Sequence, residues 1–321
     1  MAHAAIDPTP PDLTGLSWRA ISPDDLAAVA ELAAVCHAAD GGLAFMIEPG
    51  TLKGRYFPDA PGVAIGAFDA DRRLAACTTL HFSSDTDTQR VTIVGQVRPD
   101  LRGRGLGSYL MRWSRAQAQP LLAHAAAGQH VLQVTTESLS EPADRLYRAH
   151  GFAPVFEELV MRRDWRQPLP DRPLPPDVVI VSWQPTLAEQ FFQAYDAAFR
   201  DRPGFPGWSA AEWIDWITEG DELRPEWSLL ARAGGLPVGF LIGADGPPDG
   251  FVVQVGVIPM YRRQGLSSAL LVEAMQRMQA AGAASTQLTV NVNNPGAIQT
   301  YTQLGFATIG RRARYERPIN R

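Results

Sequence analysis

The sequence predicts a mixed α/β chain of two tandem domains, each built on a largely antiparallel sheet, and three observations carry that prediction. At 321 residues, 45% hydrophobic and 20% charged, the chain has the length and apolar content for two cores, since single domains centre on roughly 100–150 residues. A pattern recurs within it. Residues 97–108 read VRPDLRGRGLGS and residues 257–268 read VIPMYRRQGLSS, identical at six of twelve positions; LYRAHGF at 146–152 is answered by TYTQLGF at 300–306. Between the copies DWRQPLPDRPLPPDV, residues 164–178, holds five prolines, which deny the chain both helix and central strand. The expected organisation is an N-terminal domain over 1–165, a proline-rich linker over 166–177 and a C-terminal domain over 178–321.

The elements follow the same order in both halves. A first strand near 18–21 precedes a helix that Ser22 caps, with Pro23 at its first position and Asp24 and Asp25 in its first turn. Alternating or continuous apolar runs predict strands at 63–68, 74–82 and 91–97. A glycine-rich turn then opens a helix from about Gly107, followed by a strand at 131–135, a helix ending near His150 and closing strands. The second half gives strands at 178–181, 228–233, 238–242 and 251–257, a helix from Ser267, a strand at 287–292 and a helix from Pro295. Strands outnumber helices and neighbour one another in sequence, the mark of a largely antiparallel sheet.

Composition removes several classes of function. A net charge of −5 gives no general field for phosphate backbones or acidic membranes, so neither nucleic acid nor membrane is an expected partner. Cys36 and Cys77 lie in the apolar stretches AAVCHAA and LAACTTL and are expected as buried thiols. His3, His37, His81, His124, His130 and His150 all fall in the first half, singly. The second half therefore lacks the residues for Ser-His, Cys-His or zinc chemistry, and no metal is expected. The N-terminal residues have neither a basic stretch nor an apolar core of the kind a secretion signal needs, so a cytoplasmic location is expected.

The recurring turn is where chemistry concentrates. A strand running into Arg-x-x-Gly-x-(Gly/Ser) at a helix start leaves backbone N–H groups unpaired at a positively polarised end, an anion site. Glycine admits close approach of a pyrophosphate and arginine adds charge. No lysine follows, as a Walker loop requires, and GRGLGS fails the last position of a dinucleotide fingerprint. Taken alone, one copy reads equally well as a turn that only caps a helix; two copies, each followed by Y-x-x-x-G-F, favour the anion site.

On these residues both halves resemble the GNAT acyltransferases, whose pattern (Gln/Arg)-x-x-Gly-x-(Gly/Ala) follows the fourth strand. Arg102, Gly105 and Gly107 satisfy it; Arg262 and Gly265 satisfy it with Ser267 as the last small residue. The resemblance implies acetyl-CoA as cosubstrate. Its pyrophosphate would be held by Arg102, Gly103, Arg104, Gly105, Leu106, Gly107 and Ser108 in the first half. In the second the counterparts are Arg262, Arg263, Gln264, Gly265, Leu266, Ser267 and Ser268. Val97 and Val257, ending the fourth strands, would bond the pantetheine arm and polarise the thioester carbonyl. Asn294, opening the last helix, would contact CoA or serve as a cap.

The resemblance also makes Tyr301 or Tyr147 the general acid that protonates the leaving thiolate; the plain alternative for each is an aromatic packing the last helix. The fourth strands offer Gln96 and Gln254 but no carboxylate, leaving Asp201, Glu212, Asp215 and Glu219 as candidate bases. Residues 208–227 carry Trp208, Trp213, Trp216 and Trp227, read first as core and second as an acceptor wall, with Trp213, Trp216 and Ile217 on one helix face. The tandem architecture is similar to that of the mycothiol synthase group, which implies the C-terminal half as the likelier catalytic one. The expected activity is N-acetyl transfer to a primary amine of a small molecule; the alternative is a non-catalytic acetyl-CoA sensor or scaffold.

Overall fold

The structure is a computed structural model that describes residues 9–11, 15–60, 62–85, 87–123, 128–202, 204–220 and 222–319. His3 and His124 lie outside these residues. In chain order the elements are β1 Ser17–Ala20, α1 Leu26–Asp40, α2 Pro49–Tyr56, β2 Gly62–Phe68, β3 Leu74–Ser84, β4 Thr88–Val97, α3 Leu106–Ala123, β5 Gln129–Thr136, α4 Glu141–Ala149 and β6 Ala153–Asp164. They continue with β7 Val178–Ser182, α5 Ala188–Phe199, α6 Ala210–Thr218, β8 Leu229–Ala233, β9 Leu236–Gly246, β10 Asp249–Val257, α7 Leu266–Ala280, β11 Ser285–Asn291, α8 Pro295–Gln303 and β12 Ala307–Ile319. Among the described residues no helix is long and apolar enough to cross a membrane.

Contacts divide the chain into two compact units, one of Met1–Leu159 with Ile309–Arg321 and one of Val160–Thr308. This cut differs from the boundary that the proline-rich segment implies, although that segment does lack helix and strand between Asp164 and Val178. The reason is pairing that a repeat pattern does not encode. Residues from Ala313 to Ile319 of β12 run antiparallel along β5, Ala313 opposite Thr136 and Ile319 opposite His130. The closing strand of the second repeat is thus a strand of the first unit.

In the first unit β1 to β4 form an antiparallel run, β5 joins β4 in parallel, and β12 completes the sheet. Ser22 and Asp25 form a capping box at the entry to α1, the Ser22 N–H donating to the Asp25 carboxylate at 3.0 Å. Helix α2 has no apolar period long enough to be read from PGTLKGRY. Pro49 starts it, and the i, i+4 pair Leu52 and Tyr56, both at most 1% exposed, fastens it. One core packs Leu106, Tyr109 and Trp113 of α3 on Ala75, Leu80 and Val91, with Tyr315 of β12 buried among them. The other packs Val29 and Leu32 of α1 and Tyr56 of α2 on Cys77 and Val94. Cys36 and Cys77 are both buried there, and burial pushes their thiols up to about 11 and about 12, so neither is a thiolate at neutral pH.

The second unit repeats the order β7, β8, β9 and β10 antiparallel with β11 parallel to β10. Strand β10 carries a bulge between Val252 and Gln254 that β4 lacks. Its outer core is aromatic: Trp213 and Tyr195 stack with centroids 4.9 Å apart, and Phe240 meets both edge-on. Trp213 and Ile217 are buried, but Trp216 is 42% exposed and pairs with Trp208, so the expected common face holds for two of its three residues.

Tyr315 belongs by sequence to the second repeat and by packing to the first unit. Tyr315→Ala should therefore destabilise the first unit by about 3–5 kcal/mol, the usual cost of emptying an aromatic site. Hydrogen exchange during urea unfolding should show protection lost in β5 and retained in β11.

Candidate functional site

The site begins where two parallel strands part. Pairing between β4 and β5 runs from Thr88 opposite Gln129 to Ile93 opposite Val134 and ends there. The Arg98 N–H donates to Ala75, so the even-numbered residues at the end of β4 turn their polar groups to β3. Gly95 and Val97 turn theirs the other way, into the gap. In the second unit pairing of β10 with β11 ends at Val252 opposite Leu288, and Ile258 bonding Val238 likewise leaves Val257 facing the gap. The carbonyls of Val97 and Val257 find arginine partners, and the N–H groups that face the gap are left for another.

Each gap leads to a glycine-rich turn. Gly103, Gly105 and Gly265 have φ of 75°, 87° and 82°, the left-handed region, and Arg263 holds φ of 64° in the place of Gly103. A Cβ at Gly265 would meet nothing within 4 Å, and at Gly105 only Pro11 at 3.9 Å. The turns are cradles with open space before them. The first intrahelical bonds are Tyr109 to Gly105 and Ala269 to Gly265, so the amides of Leu106, Gly107 and Ser108, and of Leu266, Ser267 and Ser268, have no partner within the helix. Leu106 and Leu266 are themselves core residues and offer only backbone. Gly107 is small for another reason: a Cβ there would lie 2.9 Å from Leu146 on α4.

The leading arginines brace the turn rather than face an anion. Arg102 donates to the Val97 carbonyl at 3.1 Å and forks onto Asp40 at 2.7 and 2.6 Å. Arg262 donates to Val257 at 3.1 Å and to Ala198 at 2.9 Å. Each ties turn, strand end and helix together, Arg102 through a bidentate fork onto a carboxylate and Arg262 through single bonds to two carbonyls. Arg104, Arg263 and Gln264 are exposed, with Gln264 donating to the Met260 carbonyl at 3.0 Å.

In the first unit these parts open into a cavity of about 580 Å³. It runs from the turn along residues 94–97 and 134–138 to Tyr147, then to Cys36, Leu43, Met46, Ile47, Arg55 and Tyr56. Tyr147 stands on α4, its ring 5.1 Å from that of Tyr315, whose hydroxyl bonds Asp144 one turn earlier. Burial pushes the Tyr147 hydroxyl up to about 12, against a smaller opposite pull from the Thr136 side chain. It is a phenol that keeps its proton at neutral pH. Gln96 and Glu137 are among the lining residues; Gln96 Oε1 is buried without a hydrogen-bond partner, whereas the Glu137 carboxylate is ion-paired with Arg312 at 3.2 Å and Arg55 at 3.9 Å.

In the second unit a cavity of about 480 Å³ is lined by Val257, Arg262, Arg263, Gly265, Leu266, Ser267 and Ser268 and by the Gly296 to Gln303 side of α8. Tyr301 does not line it. Tyr301 is 9% exposed, lies 5.9 Å from the Phe306 ring, and is likewise pushed up to about 12 by burial. Asn294 caps α8, accepting from the Ala297 N–H at 3.2 Å. Gln254 accepts from Trp213 Nε1 at 3.1 Å. Asp201, Glu212, Asp215 and Glu219 are all exposed, and Glu212 is engaged in a capping box with Ser209.

An anion cradle at a helix start, joined by a strand gap to a buried phenol, defines a transferase that takes its group from an acyl-CoA. Models of one family match both halves: the acetyltransferase (GNAT) family over residues 187–306 and an acetyltransferase (GNAT) domain over 64–154. A mycothiol acetyltransferase of Mycolicibacterium paratuberculosis is 32% identical over 248 residues, covering 70% of this chain and 72% of that protein. One from Acidothermus cellulolyticus is 29% identical over 266 residues, covering 78% and 77%. The crystal structure of a GCN5-related N-acetyltransferase from Sphaerobacter thermophilus superposes with a TM-score of 0.74 at 27% identity, covering 98% of each chain. The chain belongs to the GNAT family, and it is an acetyl-CoA-dependent N-acetyltransferase.

Gly105→Val combines left-handed strain of about 1–3 kcal/mol with a side chain in the cradle, and Gly265→Val does the same in the other turn. Calorimetry should show each variant losing one acetyl-CoA site and keeping the other.

Proposed function

We propose that acetyl transfer takes place in the first unit, to a primary amine of a small molecule, with Tyr147 as general acid. The observation that carries the assignment is the continuity of the 580 Å³ cavity from turn to phenol and beyond. The corresponding space in the second unit is filled by Tyr195, Phe199, Trp213 and Phe240. The names of the mycothiol acetyltransferase relatives support a small-molecule acceptor.

Acetyl-CoA fits the open glycines and unpaired amides of the turn, and bound there it supplies an acetyl thioester. The chain's own residues supply the rest. The amides of Leu106, Gly107 and Ser108 hold the diphosphate, and Gly95 and Val97 hold the arm extended along the gap. The Val97 N–H, fixed by the strand, is directed at the carbonyl oxygen as charge grows on it. The acceptor nitrogen, once it has lost a proton to solvent, forms its bond to the carbonyl carbon; as the carbon–sulfur bond breaks, Tyr147 donates its proton to the sulfur, and the second proton that the nitrogen sheds as the amide forms restores the phenol. Arg102 and Asp40 keep turn and strand end in register.

A second reading places transfer in the second unit, with Tyr301 as the acid, as the sequence reading favoured. The bulge between Val252 and Gln254 supports it, because bulges gather beside active sites and re-aim side chains.

Tyr147→Phe should lower kcat by about a hundredfold or more with acetyl-CoA affinity nearly unchanged, whereas Tyr301→Phe should leave kcat within about twofold of the parent enzyme. The pH profile follows from the same group. A phenol raised to about 12 keeps its proton across the assay range, so the rate should rise with pH as the acceptor loses its proton and show no alkaline fall below about pH 10. A fall centred below pH 9 would contradict Tyr147 as the acid.

A further inference from the structure

We propose that Arg317 and Tyr315, both on β12, are positioning residues for Tyr147, so that the closing strand of the second repeat completes the reaction centre of the first. This rests on the assignment of transfer to the first unit. The starting point is the Y-x-x-x-G-F motif, which in the structure is a helix ending. Gly151 has φ of 80° and donates its N–H to the Arg148 carbonyl at 2.9 Å, while the Phe152 N–H donates to the Tyr147 carbonyl at 3.1 Å. A left-handed glycine thus reverses the chain, and the residue after it reaches back over the last turn. The next carbonyl, that of His150, accepts from Arg317 Nη1 at 2.6 Å. A Cβ at Gly151 would meet the same guanidinium at 3.5 Å, so the arginine lies over the bend itself.

The second repeat ends its helix in the same way. Gly305 has φ of 88°, its N–H donates to the Thr302 carbonyl at 3.0 Å, and the Phe306 N–H donates to the Tyr301 carbonyl at 3.0 Å. Here the Leu304 carbonyl accepts from Arg163 Nε at 2.7 Å. Arg163 on β6 and Arg317 on β12 stand at the same place after the Gly-Phe of their own repeats. Each therefore closes the tyrosine helix of the other repeat, where a cation also meets the negative end of the helix dipole.

Tyr315 adds what the second repeat lacks. Its ring lies 5.1 Å from that of Tyr147, and its hydroxyl donates to Asp144, one turn earlier on α4. At the same places the second repeat has Met161 on β6 and Ile298 on α8, which cannot form that bond. Strand β12 thus grips α4 on both sides of Tyr147, at Asp144 before it and at His150 after it. A proton donor displaced by about 1 Å can lose about a hundredfold in rate, so a grip on the helix is a grip on the acid.

The test separates positioning from folding by asking whether the effect needs the Tyr147 hydroxyl. With full-length enzyme, saturating acetyl-CoA and n-butylamine as probe amine, Arg317→Met and Tyr315→Phe should each lower kcat about tenfold, with KM and acetyl-CoA Kd within about twofold. In a Tyr147→Phe background neither should cost anything further, because no proton is left to place. Arg317→Lys, which keeps a donor for the His150 carbonyl, should recover part of the loss. Arg163→Met, the same lesion on α8, should leave kcat within about twofold. Equal losses in both backgrounds would mean that β12 only stabilises the fold, and no loss in either variant would mean that its grip does not bear on the acid; both overturn the positioning role. Should Arg317→Met lose acetyl-CoA binding and so report an unfolded unit, Tyr315→Phe, which deletes one oxygen, carries the same comparison. If β12 variants are silent while Tyr147→Phe slows transfer, the positioning role alone is wrong. If Tyr147→Phe is silent, or the parent enzyme transfers nothing to n-butylamine, the proposed function falls and the positioning role with it.

Discussion

The structure depends on one interruption of hydrogen bonding: β4 and β5 pair in parallel as far as Ile93 and Val134 and then part. Everything the site does follows from keeping that gap open without loss of stability. On its outer sides the gap is held by full ladders, β3 along β4 and β12 along β5. At its end the Arg102 guanidinium joins the Val97 carbonyl to Asp40 of α1. The Val97 N–H and the backbone groups of Gly95 thus stay fixed and face the gap, as preorganised binding of an extended arm requires.

The same plan is written twice with different side chains, and the difference is one of volume. Against the inner part of the gap the first unit sets Cys36, Cys77 and Val94, all small, and a cavity results. The second sets Tyr195, Trp213 and Phe240, which stack and fill the space. Both turns keep their left-handed glycine and both helices their unpaired amides. Each unit thus has an open turn, and only the first continues from it past a tyrosine into a deep cavity.

Much of this was legible in the residues. The repeat located both turns, the elements came in the expected order, and the capping box at Ser22 and the cap at Asn294 are where local chemistry puts them. What local chemistry cannot show is pairing between distant segments. No pattern in ARYERPI says that Tyr315 packs beside Tyr147, and the exchange of β12 into the first unit therefore escaped the sequence. The turn arginines read as phosphate ligands because their partners, Asp40 and Ala198, stand about sixty residues away.

Hydrogen exchange with and without acetyl-CoA reads, residue by residue, whether the gap opens to the cosubstrate in the first unit and is closed in the second. Saturation should protect the amides of residues 95–97 and 106–108 in the first unit. In the second unit protection should appear at residues 266–268 and not at 253–256. Protection of 253–256, with 95–97 unchanged, would contradict it.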